Sequence, residues 1–165
     1  MKNLIIVPII FLFLISAIIV QAQDRYFIVF CGNDGMPGHA FVMFGRESES
    51  EKMSIIDGAW GLYPSNSRQG GKSFIIGEVP GEIRDEGITK KCNYKVVSEV
   101  SKSEYENGLE VKSQWTSRGR YELTKSDCVS FLIAVARCVD SLRVPDRNGL
   151  DNFPARYLKS LSEHN

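Results

Sequence analysis

The segment Tyr121-Glu-Leu-Thr-Lys-Ser-Asp-Cys-Val-Ser-Phe131 constrains this chain more than any other. Its first half is polar and rich in helix-capping residues. After Cys128, the residues Phe131, Leu132, Val135 and Val139 recur at helical spacing, with Ala134 and Ala136 between them. This pattern predicts a central helix with one face in a core, starting close to Cys128. Thr124 with Asp127 has the spacing of a capping box, and Ser126 is the other candidate cap. Either choice puts Cys128 within about the first turn. Free backbone N–H groups and the helix dipole favour a thiolate there. In an apolar helix a free cysteine otherwise serves as a small hydrophobe.

A nucleophilic thiol needs a base. The chain has two histidines, and His164 stands next to the last residue, which leaves His39. His39 follows a loop dense in turn formers, Gly32 to Gly38, and opens the apolar run to Gly45 that reads as a strand. A strand is the rigid platform that proton transfer over about 3 Å requires. Asp57, at the end of the expected short strand Ser54-Ile-Ile-Asp57, is the candidate third member. It would accept the proton of the second imidazole nitrogen and fix the tautomer. Its other reading is a turn cap before Gly58. Asp127 is the second candidate, though it suits helix capping better. The backbone N–H of Cys128 is a natural oxyanion donor. Tyr121 is expected near the same spot, and Trp60 and Tyr63, in an expected loop from Gly58 to Pro64, are expected to line the cleft with the loop 65–72. Ordinary packing is the alternative for these aromatics.

Strands are expected at 25–31, 39–45, 54–57, 73–79 and 92–100, with a hairpin connection over 46–53 and irregular chain over 82–91. Ser103 with Glu106 predicts a capped helix that stops at Thr116–Gly119. A last helix over 153–161 would dock through Phe153, Tyr157 and Leu161. Four or five strands with a few helices make an α+β fold.

Lys2, an apolar run from Leu4 to Val20 broken by Pro8 and Ser16, and Val20-Gln-Ala22 follow the pattern of a secretory signal peptide. The division expected is therefore a signal over 1–22 and a single domain over 23–165, about 143 residues long. A retained anchor is the alternative, since about 17 apolar residues is at the short end of a membrane span. No stable membrane insertion is expected once the signal is removed, and the product would be secreted or periplasmic. Disulfides form in such compartments. If Cys128 stays free, at most one disulfide forms among Cys31, Cys92 and Cys138. Cys128 and Cys138 lie about 15 Å apart along one expected helix and cannot bond to each other.

Lysine and arginine total 20 and aspartate and glutamate total 20, so no basic field points to nucleic acid. With no Cys-x-x-Cys pair and two widely separated histidines, no metal is expected. Gly32–Gly38 fits neither a dinucleotide fingerprint nor a P-loop, and Gly71-Lys72-Ser73 precedes a strand-like run, so no cofactor is expected.

Gly38-His39-Ala-Phe-Val-Met-Phe-Gly45, followed much later by Asp127-Cys128-Val-Ser-Phe131, resembles the circularly permuted branch of the NlpC/P60-like papain-fold superfamily. In that branch the histidine strand precedes the cysteine helix, as here. The resemblance implies an antiparallel sheet packed against the cysteine-bearing helix, with Cys128 as nucleophile, His39 as base and a polar third residue near Asp57. It implies a thiol hydrolase that cleaves an amide of a cell-wall or other peptide through an acyl-enzyme, and the export expected from the signal pattern fits a cell-envelope amide. A lipid-directed acyltransferase or esterase using the same residues is the family's other activity. A non-catalytic secreted binding domain held by disulfides is the competing class.

Overall fold

The computed structural model describes residues 24–35, 38–48, 53–66, 72–148 and 153–165. The expected signal segment lies outside the described residues, as does most of the loop 65–72.

Arg25–Asn33 forms β1, whose apolar run is explained by its place inside the sheet. Strands β2 (His39–Ser48), β3 (Met53–Pro64), β4 (Val79–Asp85), β5 (Tyr94–Val100) and β6 (Arg120–Tyr121) complete a six-stranded sheet in the order β5-β1-β2-β3-β4-β6. Every neighbouring pair is antiparallel. A single helical turn, α1 (Ser73–Ile76), precedes three helices: α2 (Lys102–Arg118), α3 (Cys128–Ala136) and α4 (Pro154–Glu163). The fold is α+β.

Side chains alternate between the two faces of a strand. Ile28, Phe30, Ala40, Val42, Phe44 and Leu62 share one buried core with Phe131, Leu132 and Val135 of α3. Each large side chain removed from water there contributes roughly 1.5–3 kcal/mol. Gly108 of α2 belongs to the same contact, because a Cβ at that position would lie 2.8 Å from the Phe44 ring. Cys31, Phe41 and Ala59 form a smaller cluster of their own. A disulfide joins Cys31 to Cys92, with Cα atoms 5.4 Å apart. Cys128 and Cys138 are free, so the chain does not hold the two disulfides of the binding-domain alternative.

Several boundaries differ from expectation, each for a physical reason. Gly58 and Gly61 suggest a loop, yet β3 runs unbroken to Pro64 because β2 and β4 supply ladder partners on its two sides. The expected strand 73–79 is instead the turn α1, ended by Gly77 at φ 81°, and β4 starts only at Val79. The expected irregular segment contributes the rest of β4. Helix α2 is capped by Ser101 and Glu104 rather than by Ser103 and Glu106. Both pairs have the right spacing, but β5 ends at Val100 and the chain turns immediately. At the last helix Tyr157, Leu158 and Leu161 are buried, whereas Phe153 is exposed.

Candidate active site

Asp127 caps α3, accepting from the Ser130 N–H at 3.1 Å, so Cys128 is the first helical residue. The turn before it is tight. The Glu122 N–H donates to the Ser126 carbonyl at 2.8 Å, and Thr124 sits at φ 71° with its N–H on Asp127 at 2.8 Å. Arg147 closes the other side of Asp127 with two 2.7 Å hydrogen bonds. Asp127 is therefore a buried structural carboxylate that fixes the start of α3.

This arrangement drives the Cys128 side chain toward β2. The β2–β3 ladder ends at Val42–Trp60. Beyond that pair the Ala40 N–H meets the Cys128 sulfur, and the Val129 N–H also favours its charged form. Burial is the larger influence. Together with the nearby Asp127 charge, it pushes the thiol up to about 12, against the two N–H groups and Arg147. Cys128 is thus held as a neutral thiol, not the thiolate that a helix N-terminus alone would favour.

His39 stands one residue before Ala40, at the start of β2. Its ring stacks on Tyr63 with centroids 4.2 Å apart. Its Nε2 lies 2.7 Å from Glu86 Oε1. Burial alone would push the Glu86 carboxyl up, but hydrogen bonds from His39, Tyr63 and Lys90 outweigh it and bring it down to about 2. Lys90 Nζ is 2.9 Å from the second oxygen. Against an ionised carboxylate, Nε2 has to carry the proton. In the neutral tautomer Nδ1 then carries the lone pair that a general base needs. Among the described residues, Nδ1 has no hydrogen-bond partner, and no hydrogen bond joins the imidazole to the thiol.

Glu86, immediately after β4, occupies the place expected for Asp57. Its N–H donates to the Ala59 carbonyl at 2.8 Å, which continues the β3–β4 pairing. The His39–Glu86 contact thus spans β3 and passes over Gly61. A Cβ at 61 would fall on His39 Nε2 and 2.6 Å from Glu86 Oε1. Glycine is what lets the pair meet.

Asp57 is corrected to a structural role. The β2–β3 register shifts between Phe44 and Gly45, which pair with Gly58 and Ile56, so Asp57 is the extra residue of a bulge. That level of β2 is five residues from His39, about 17 Å along a strand. Asp57 instead accepts from the Tyr105 hydroxyl at 2.5 Å and lies 3.5 Å from Arg46 Nε.

Of the three aromatics, Tyr63 joins the site through His39 and Glu86. Burial, and then the Glu86 hydrogen bond, hold its phenol well above the usual range. Tyr121 is buried near Cys128, and burial first, then its neighbours Cys128 and Asp127, raise its phenol likewise. Trp60 lies on the opposite face of β3 from Gly61 and Tyr63. It packs on Phe44 at 5.6 Å, under Lys112 Nζ at 4.8 Å, and does not line this site.

Comparison with family models, curated proteins and solved structures finds no match for this chain. The site therefore rests on its own geometry. Among the described residues, no cluster of three or more His, Cys, Asp or Glu could hold a metal ion, and no helix is long and apolar enough to cross a membrane. Sequence reasoning missed Glu86, which sits in a charged stretch with no distinguishing spacing. The available signal was Gly61, an isolated glycine in strand-like surroundings, which marks close approach by other groups.

Proposed function

We propose that this chain is an exported thiol hydrolase of the permuted papain-like type, cleaving an amide in a cell-wall or other peptide. Cys128 is its nucleophile, His39 its base and Glu86 the residue that orients the base. One observation carries the reading. The imidazole is held through Nε2 by an ionised Glu86, at the strand start whose next N–H contacts the Cys128 sulfur.

In this mechanism His39 Nδ1 removes the thiol proton as the substrate carbonyl approaches. Catalytic hydrogen bonds are often long before substrate binds. The sulfur attacks the carbonyl carbon, and the oxyanion rests on the Cys128 N–H at the open end of α3. His39 returns its proton to the leaving amine. Water, deprotonated by the same nitrogen, then attacks the thioester carbonyl; the C–S bond breaks, the acid leaves, and His39 passes the proton to the sulfur to restore the thiol. Because the resting thiol is neutral, deprotonation belongs to the catalytic step and no ion pair is formed beforehand. The Cys31–Cys92 disulfide supports an oxidising destination, secreted or periplasmic.

The test is amine release from a digest of cell-wall peptides, followed by mass spectrometry. Wild-type protein is expected to cleave, Cys128→Ala to be inactive, and Glu86→Gln to lose about 100-fold or more in kcat, the scale of acid–base catalysis. Undiminished cleavage by Cys128→Ala would reject the mechanism. So would wild-type protein that cleaves no peptide and whose Cys128 alkylation rate ignores His39→Ala.

A further inference from the structure

A groove of about 600 Å³ runs between α2 and α3, on the side of α3 turned away from the sheet. Pockets for small organic ligands span roughly 300–1,000 Å³. Its apolar walls are the half-buried Val111 of α2 and Ala134 of α3, with the edges of the buried Trp115 and Ile133 between them. Its charged side chains are of one sign. Arg118, Lys125, Arg137 and Arg147 all line it, and among the described residues no carboxylate does.

In a chain with equal numbers of acidic and basic residues this is a local concentration of positive charge. Two of the cations are already matched: Lys125 with Glu122 at 2.7 Å and Arg147 with Asp127 at 2.7 Å. Arg118 and Arg137 have no acidic partner among the described residues. The Arg118 guanidinium lies over the Trp115 ring, 4.9 Å from its centroid. Thr124, which also lines the groove, is a β-branched residue held at φ 71°. Strained backbone of this kind clusters at ligand clamps and active sites.

We propose that this groove binds an anionic amphiphile, a single hydrocarbon chain headed by a carboxylate or phosphate. A planar guanidinium fork matches either head group. The exposed parts of Val111 and Ala134 would remain wet against an inorganic anion, and the two arginines would remain unmatched against a neutral chain. A folded protein partner is disfavoured, because stable protein interfaces cover about 800 Å² on each side and this is a groove of small-molecule size. Arg118 and Arg137 also lie at helix C-termini, where a cation interacts favourably with the dipole. That role alone would affect stability and leave ligand binding untouched.

The experiment titrates laurate and dodecyl phosphate, below their aggregation concentrations, into the folded protein by calorimetry. Dodecanol and inorganic phosphate serve as controls. Saturable one-to-one binding of at least one anionic chain is expected, with both controls weaker by about tenfold or more. The tighter of the two anions identifies the head group. Arg118→Gln with Arg137→Gln is expected to weaken binding by about tenfold, the product of two exposed ion pairs. Ala134→Phe, which fills the groove, is expected to abolish it. If that variant melts early, the double arginine variant decides alone, since both its positions are exposed. Equal binding of laurate and dodecanol, wild-type affinity in the double variant, or no saturable binding would each overturn the proposal.

Discussion

At position 61 a single hydrogen in place of a methyl group allows His39 and Glu86 to meet across β3. Gly61→Ala is therefore expected to separate the pair while the sheet survives. The cost is about 1–3 kcal/mol, typical of overpacking. The sharper readout is the His39 ring nitrogen spectrum, in which the proton should no longer be confined to Nε2. An unchanged spectrum would contradict the assigned contact. Glu86 itself imposes a pH dependence. Its carboxyl is lowered from 4.5 to about 2 in the folded state. The corresponding stability is fully present above about pH 4.5 and is lost as pH falls toward 2, on the order of 3 kcal/mol. Denaturant melts of wild type and Glu86→Gln should thus converge between pH 5 and pH 2, and parallel curves would refute the shift. Cys128 and His39 were legible because each has a local signature, a polar-to-apolar boundary and a turn-to-strand boundary. Glu86 was not, because its place depends on the β3–β4 register and on a glycine in a third strand.

Among the elements, α2 and α3 are started by side chains that satisfy their open N–H groups. Ser101 accepts from the Glu104 N–H at 3.2 Å, and Glu104 returns the bond to the Ser101 N–H at 2.7 Å. Removing the hydroxyl with Ser101→Ala should cost about 1 kcal/mol. Ser103→Ala, at the cap expected from spacing alone, should cost little. Equal losses in thermal melts would show that neither cap is dominant. This contrast also marks the limit of element reading. Capping-box spacing occurs twice within three residues, and only the end of β5 selects the first. Likewise, no property of residues 54–57 announces the bulge. It arises from the pairing of β2 with β3, and it sends Asp57 toward Tyr105 and Arg46. The order of histidine strand before cysteine helix, by contrast, was readable directly from the two motifs.

Across the whole molecule the Cys31–Cys92 bridge closes a separation of 61 residues that contains β2, β3 and β4. Closing a loop of that length restricts the unfolded chain and is worth about 2–4 kcal/mol. Reduction should therefore lower the denaturation midpoint by a corresponding amount while Cys128 alkylation stays slow at neutral pH. Rapid labelling of Cys128 in the reduced, still folded protein would show that the bridge also holds the thiol in its closed position. The bridge and the sheltered thiol belong together chemically. Surroundings that oxidise Cys31 and Cys92 would also carry an exposed thiolate to sulfenic acid and then irreversibly beyond. Susceptibility follows thiolate character and exposure, and the resting Cys128 has neither. Its buried, protonated state thus acts as a chemical preservative that spares the sulfur peroxide damage.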